Sequence, residues 1–263
     1  MTRILVTGGT GVLGRQVVKV LQARGITPRV LSRQEASSSP TAVFFKGDLT
    51  TGHGLKEALE GVDVVVHCAH NPEQPQKHML GTQNLLAAMQ QANVKHVVLI
   101  SILGIDRLSL YPYYRAKLQE EKMVQASGIP CTILRAAQFH DFLGFLIEML
   151  VRLPVVLLPR DLRFQPVQVE TVAQELAQLA LQPPAGQLKD LAGPEVLSLD
   201  SLVQSWMLRK GINKRIYTFP LPLPFMQTFR ELAVKEVTRK GETWGQWLSG
   251  QQTSSNAYQK ARG

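Results

Sequence analysis

Two cysteines in 263 residues are too few for a disulfide framework. Cys68 and Cys131 each lie in an apolar, strand-like run, which reads as buried thiols in a reducing, cytoplasmic setting. The longest apolar stretch, Phe142 to Leu158, is broken by Glu148, Arg152 and Pro154, which argues against a membrane span. A strand pattern begins almost at the first residue, so no signal segment is expected. The formal net charge of +9 would suit nucleic acid or anionic lipid if it were gathered in one place. It is not. The densest basic cluster, Arg209 to Arg215, is short and has no interleaved aromatics, which excludes an evident nucleic-acid surface and leaves a solvated face with a few residues free to serve an anionic small molecule. His67 and His70 lack a third ligand at metal spacing, so no metal is expected. No internal repeat and no extended low-complexity tract is present.

What is present is concentrated in the first fifteen residues. The apolar run Arg3-Ile4-Leu5-Val6 suits a buried strand, and Gln16 to Leu21 has apolar residues at helical spacing with Gly25 as a stop. Between them lies Thr7-Gly8-Gly9-Thr10-Gly11-Val12-Leu13-Gly14, with glycines spaced Gly8-x-x-Gly11-x-x-Gly14. Gly8 permits the tight turn. Gly11 has no Cβ to keep a pyrophosphate from the backbone at the helix N-terminus. Gly14 lets the helix pack closely on the strand. In strand–turn–helix context this spacing points to a dinucleotide site.

The rest of the first half alternates strands and helices. Strands are predicted over 27–31, 42–45, 62–68, 96–100 (ending at Ser101) and 130–134, with helices over 55–59, 77–92 and 112–126. Such alternation implies an α/β fold with a doubly wound parallel sheet. After the second strand comes Ser32-Arg33-Gln34, with no carboxylate until Glu35. A carboxylate there would repel a ribose 2′-phosphate, whereas a guanidinium suits one, so NADP is expected over NAD, with NAD possible. Asp48 and Leu49 close the third strand, where side chains face an adenine or cap a helix. Cys68 and Ala69 follow the fourth strand, where a loop passes the cofactor by its backbone.

Beyond Arg135 the pattern loosens. Helices are predicted over 138–152, 170–181, 200–209 and 225–239, with short strands over 155–158, 163–169 and 215–219, and a frayed tail after Gly250. The expected organisation is a cofactor-binding core over 1–160, a small substrate-side lobe over 161–250 and a tail over 251–263.

The glycine turn, Asp48-Leu49, Gly81-Thr82-x-Asn84-Leu85-Leu86 and Tyr113-x-x-x-Lys117 together resemble the short-chain dehydrogenase/reductase superfamily in its extended and atypical branches. Gly104-Ile105-Asp106-Arg107, Tyr113 to Lys117, Leu134 to His140 and Thr243-Trp244-x-x-Trp247-Leu248 are similar to its NmrA-like members. The resemblance covers nearly the whole chain. It implies Tyr113, Lys117 and Ser101 as the catalytic set, with Lys117 also bonding the nicotinamide ribose. Chemistry agrees: Tyr113 and Lys117 share a helix face, and a nearby ammonium makes the phenol a better proton donor. Tyr114 is the alternative inward phenol. The extended branch places Asn three residues before the Gly-Thr pair, where this chain has His78.

Gln138, Phe139 and His140 follow the sixth strand at its ligand-facing end, and Phe139, Phe142 and Phe145 line an apolar pocket or pack in the core. The function expected is hydride transfer between NADP(H) and an apolar carbonyl, quinone or alcohol. A cofactor-binding sensor without turnover and a sugar-nucleotide epimerase or dehydratase are the other readings. The partner expected is a small-molecule substrate.

Overall fold

The computed structural model describes residues 2–33, 41–107, 111–220 and 236–251. The chain packs as two units, Met1–Arg135 with Val172–Leu188 and Ala136–Thr171 with Lys189–Gly263. The second unit therefore begins well before residue 160, and most of the helix at 169–179 returns to the first. The reason is that the polypeptide crosses three times, after Arg135, Thr171 and Leu188, so no single cut in the sequence separates two contiguous domains.

The first unit is built on parallel strands in the spatial order β6-β5-β4-β1-β2-β3. These are β1 (Ile4–Thr7), β2 (Arg29–Ser32), β3 (Val43–Lys46), β4 (Val64–His67), β5 (His96–Ile102) and β6 (Cys131–Ala136). All four residues of β1 and of β4 are buried, as strands covered on both faces must be, which explains why they read as continuous apolar runs rather than alternating ones. The helices are α1 (Val12–Ala23), α2 (Leu55–Leu59), α3 (Pro75–Gln91) and α4 (Pro112–Ala126). Proline opens both α3 and α4, where its missing N–H is no loss. Gly25, at φ +75°, turns the chain out of α1. The core beneath is aliphatic: Leu5, Leu59, Val65, Leu85, Met89, Val97, Leu99 and Ile133 form one buried cluster. Cys68 is buried and Cys131 half-buried, both as free thiols, so only Cys68 meets the expectation of full burial.

Strand order reverses at β1, which pairs with β2 on one side and β4 on the other. Ligands of open α/β sheets bind at such a reversal, beyond the carboxyl ends of the strands. The register pairs Thr7 with His67 across β1 and β4 at that end, and His67 in turn with Leu99 of β5.

The second unit holds α5 (His140–Arg152), β7 (Val156–Pro159), β8 (Arg163–Phe164), α6 (Val169–Leu179, whose first turn only lies here), β10 (Leu191–Ala192), β11 (Leu197–Ser198), α7 (Leu199–Lys210), β12 (Ile216–Phe219), β13 (Thr238–Arg239) and α8 (Trp244–Gly250). A further short strand, β9 (Gly186–Gln187), belongs to the first unit and pairs with β6. Trp206, Trp244 and Trp247 pack with Leu143, Ile147 and Leu202 as a second core. Three sequence expectations change here. The helix expected from Gln138 starts at His140, because Phe139 is extended and bridges to Val167. The strand expected over 163–169 is only Arg163–Phe164, since Val169 already opens α6. The helix expected over 225–239 lies outside the described residues from 225 to 235, and its end is instead the strand β13, paired with β10. The tail beyond Gln251 also lies outside the described residues.

Candidate dinucleotide and proton-transfer site

The glycine turn is built by exclusion of side chains. Gly8 has φ +66°, and a Cβ there would lie 2.7 Å from Ala69 N and Cα, so the turn presses on the exit of β4. A Cβ on Gly14 would lie 2.2 Å from Gly8 O, so only glycine lets the first turn of α1 close on the loop before it. Gly11 is different: its Cβ would meet only Gly8 O, at 3.2 Å, and otherwise faces open space. Gly11 is also the N-cap of α1, and no side chain caps that helix and no acidic residue occupies its first turn. Outward N–H groups at a positive helix end, on an open glycine face, are the donor set a pyrophosphate needs. The residues present fit the dinucleotide that the turn implies.

The neighbouring candidates fall as follows. Thr7, Gly9, Leu13 and Gly14 are buried, while Thr10 is exposed and its carbonyl accepts from the Arg15 guanidinium at 2.7 Å. Ser32 is buried at the end of β2 and Arg33 is exposed just after it. Asp48 Oδ1 accepts from Thr50 N at 2.8 Å, so one oxygen of this carboxylate closes a local turn. Asn84 of α3 donates to the carbonyls of Leu49 and Thr50, both at 2.9 Å, which pins that loop. Cys68 N donates to Thr7 O at 3.2 Å, tying the β4 exit to the turn, and burial pushes its thiol up to about 12.

Helix α4 carries the proton-transfer candidates. Tyr113 presents its ring to His70 and His78, with centroids 6.5 and 6.2 Å away. Tyr114 packs edge-on against Tyr111 at 5.8 Å, and burial, then Tyr111, push its phenol up. Lys117 is buried and donates from Nζ to Ile100 O at 2.9 Å, which fixes α4 against the end of β5. Ser101, the next residue of β5, is buried, and its Oγ has no hydrogen-bond partner among the described residues. A buried hydroxyl left this way is costly unless something else satisfies it.

A group the sequence did not advertise lies beneath. Glu120 is fully buried on α4 and its Oε2 makes a short ion pair with Lys117 Nζ. Thr82 Oγ1 donates to Glu120 Oε1 at 3.1 Å. The Nε2 atoms of His67 and His78 lie 3.1 and 3.2 Å from the same oxygen, off the line of a straight hydrogen bond. His67 Nδ1 is 2.5 Å from Thr7 Oγ1, a contact that the β1–β4 register creates. Burial alone would raise the Glu120 carboxyl, but the Lys117 ammonium and the two imidazoles outweigh it and hold it well below the usual carboxylate range. Burial depresses His67 and keeps it neutral. The adjacent Glu121 takes a bidentate pair from Arg135, at 2.9 and 2.7 Å. Two consecutive glutamates read in the sequence as an ordinary solvated face; buried as they are, each needs a cation, and Lys117 and Arg135 supply them.

In the second unit Gln138 and Phe139 are half-buried, as are Phe142 and Phe145. His140 is fully buried, its ring 5.7 Å from Trp244 and 5.4 Å from Trp247, and burial lowers it to about 4. An imidazole so placed is neutral and packs against two tryptophans of the second core. No group of metal-ligating residues occurs among the described residues, and none of their helices is long and apolar enough to cross a membrane.

A doubly wound sheet with an uncapped glycine turn at its reversal defines a dinucleotide-binding protein. The family model described as NAD(P)H-binding matches residues 8–151, and the chain belongs to that family, within the NmrA-like, atypical short-chain dehydrogenase/reductases. Human sterol-4-alpha-carboxylate 3-dehydrogenase, decarboxylating, is 35% identical over 106 residues, 38% of this chain and 28% of that protein. Photosystem II assembly factor Ycf39 of Trieres chinensis is 30% identical over 164 residues, 58% of this chain and 51% of that protein. The chain thus spans about a quarter and about half of the length of these two curated relatives. In fold it is similar to the NADPH-dependent quinone oxidoreductase QOR2 of Escherichia coli complexed with NADPH, at TM-score 0.75 and 18% identity over 94% of this chain and 98% of that one.

Proposed function

We propose that this chain is an NADP-dependent oxidoreductase that moves hydride between the cofactor and an apolar carbonyl, quinone or alcohol. The observation that carries the reading is the Lys117–Ile100 hydrogen bond, because it brings the Tyr113–Lys117 face of α4 to the strand end where Ser101 keeps an unpartnered hydroxyl. Bound NADP(H) supplies or accepts the hydride. Thr7 to Gly14 hold the pyrophosphate, Cys68 and Ala69 pass the nicotinamide side by their backbone, and Asp48 and Leu49 border the adenine. Arg33 answers the 2′-phosphate. Ser101 donates to the substrate oxygen and polarises it, and Tyr113 gives that oxygen its proton as charge develops there. Lys117 has three N–H donors, two of them engaged by Ile100 and Glu120, so one is left for the ribose. Gln138 and Phe139 contribute to the substrate side. Relatives named as a dehydrogenase and a quinone oxidoreductase support the class of reaction.

The test is NADPH consumption across a panel of quinones, aldehydes and ketones. With an active acceptor in hand, Tyr113→Phe should lower turnover by about two to four decades while cofactor binding survives, and Tyr114→Phe should leave both turnover and binding unchanged. Full activity in Tyr113→Phe overturns the proton-donor role. A second reading, a cofactor-binding protein without turnover, is favoured by one observation: the Lys117 ammonium is already compensated by Glu120. It predicts tight NADPH binding and no consumption with any acceptor.

A further inference from the structure

In the second unit β7 and β12 form a parallel pair, with Leu157 opposite Tyr217 and Pro159 opposite Phe219. Parallel strands are ordinarily covered on both faces. Here one face is covered: Val156 and Leu158 pack into a core with Ile147 of α5 and Trp206 of α7, and Ile216 of β12 packs against it. Side chains alternate along a strand, so Leu157, Tyr217 and Phe219 lie on the other face. They are 56%, 50% and 42% exposed, and Leu153 and Val155, where the chain enters β7, are 52% and 45% exposed. Exposed apolar residues are ordinary when scattered, but a group of five on one small sheet marks an interaction surface.

Charge says what kind of surface. The basic residues are spread along the sequence, and the fold brings four of them to the two ends of this pair. Arg152 ends α5, and Lys214 Nζ donates to the carbonyls of Val151 and Leu153, both at 2.8 Å, which sets Lys214 and Arg215 where β12 and β7 begin. At the far end Arg160 N donates to Phe219 O and its Nε to Thr218 Oγ1, both at 2.9 Å. Residues 149–160 and 212–220 contain no carboxylate. The carboxylates that border them are Glu148, paired with Arg152 at 2.7 Å, and Asp161. An apolar face with basic residues at its ends combines the two signals that hold a protein at an anionic bilayer surface: apolar side chains that enter the acyl boundary and cations that meet the headgroups. Tyr217 suits that boundary, with an apolar ring and a polar tip. We propose that the outer face of β7 and β12 docks on anionic lipid, Leu157, Tyr217 and Phe219 entering the interface and Arg160, Lys214 and Arg215 facing the headgroups. The inference stands apart from the hydride-transfer reading, and its test uses neither cofactor nor substrate.

The test is co-sedimentation of the full chain with vesicles of phosphatidylcholine alone and of phosphatidylcholine with about one-third phosphatidylserine. Wild type should sediment with the anionic vesicles, far less with the neutral ones, and should be released by salt at about 1 M. Leu157→Ser/Tyr217→Ser leaves the covered face intact, so the protein should fold, with affinity for anionic vesicles down by about ten-fold or more. Arg160→Gln/Arg215→Gln should lower it by about 25-fold, near five-fold for each charge, and decides the matter should the serine variant not fold. Leu208→Ser is the control, an 85% exposed leucine on α7, the helix that packs on the covered face; it should bind as wild type does. No binding to either vesicle overturns the proposal, as does equal binding to both. A folded serine variant that binds as wild type does overturns it too. A stable dimer that Leu157→Ser/Tyr217→Ser dissociates, with no vesicle binding, assigns the face to a second copy of the chain and overturns the lipid reading.

Discussion

Replacing Gly14 by alanine adds one methyl group to the first turn of α1 at the dinucleotide site, and the structure says where it goes. The new Cβ would sit 2.2 Å from Gly8 O, 2.7 Å from Gly8 C and 2.8 Å from Gly9 Cα, all backbone atoms with no rotamer to yield. To reach ordinary contact the first turn of α1 must draw away from the glycine loop by about 1 Å. Forced packing of this kind costs about 1–3 kcal/mol, while alanine in a helix regains about 1 kcal/mol over glycine. Net stability should therefore fall by no more than about 2 kcal/mol, a loss of a few degrees in Tm. Binding should suffer more. The displaced turn carries the N–H groups that face the phosphates, and losing one charge-assisted hydrogen bond of about 1.5–3 kcal/mol weakens affinity by one to two decades. NADPH fluorescence titration gives the affinity and thermal unfolding the stability. Gly25→Ala is the control: φ is +75° with no atom near a new Cβ, so stability should fall by about 1–2 kcal/mol with affinity unchanged. A folded Gly14→Ala protein that binds NADPH as wild type does would refute the assignment of this turn.

Arg33→Asp should reverse the cofactor preference, since one charge-assisted phosphate contact is worth about 1.5–3 kcal/mol and the new carboxylate repels the 2′-phosphate; equal affinity of wild type for NADPH and NADH, measured by titration, would sink the NADP reading. Burial, then Glu170, raise the Asp141 carboxyl to about 6 from 3.8. A raised carboxyl contributes its stability in full below about pH 3.8 and loses it as pH climbs through about 6, at about 1.36 kcal/mol per pH unit. Asp141→Asn should accordingly raise Tm at pH 8, by an amount set by at most about 3 kcal/mol, and leave it nearly unchanged at pH 3.5.

The first unit was legible because its signals are local. Buried parallel strands require β-branched runs, and Val64-Val65-Val66 and His96 to Ile100 supply them. Pro112 and Gly128 bracket α4, which runs from Pro112 to Ala126 as the spacing predicts. The second unit was not legible to the same degree. Strands of two residues, such as Leu191–Ala192 and Thr238–Arg239, have no periodicity of their own and exist only because a distant partner pairs with them. The same holds for the site. The glycine turn and the Tyr113–Lys117 spacing sit within single elements, but the Glu120 network draws residues 7, 67, 78, 82 and 120 from four. His67 and His78 read as isolated histidines in the chain because the register and helix packing that join them are tertiary.

That network also decides which variants can report on chemistry. Glu120 is tolerated in the core only while Lys117 and its imidazole and hydroxyl neighbours compensate it. Lys117→Ala leaves a buried carboxylate without its cation, and breaking such a pair costs about 3–5 kcal/mol. Against the 5–15 kcal/mol by which domains are ordinarily stable, that is enough to unfold the protein or loosen the whole site. Inactivity of Lys117→Ala is therefore expected whether or not the lysine touches a cofactor, and it carries no mechanistic weight alone. Tyr113→Phe removes a hydroxyl and leaves both charges of the Lys117–Glu120 pair in place. Its effect on turnover reads proton delivery directly, and Lys117 becomes informative only when its partner is neutralised in the same chain.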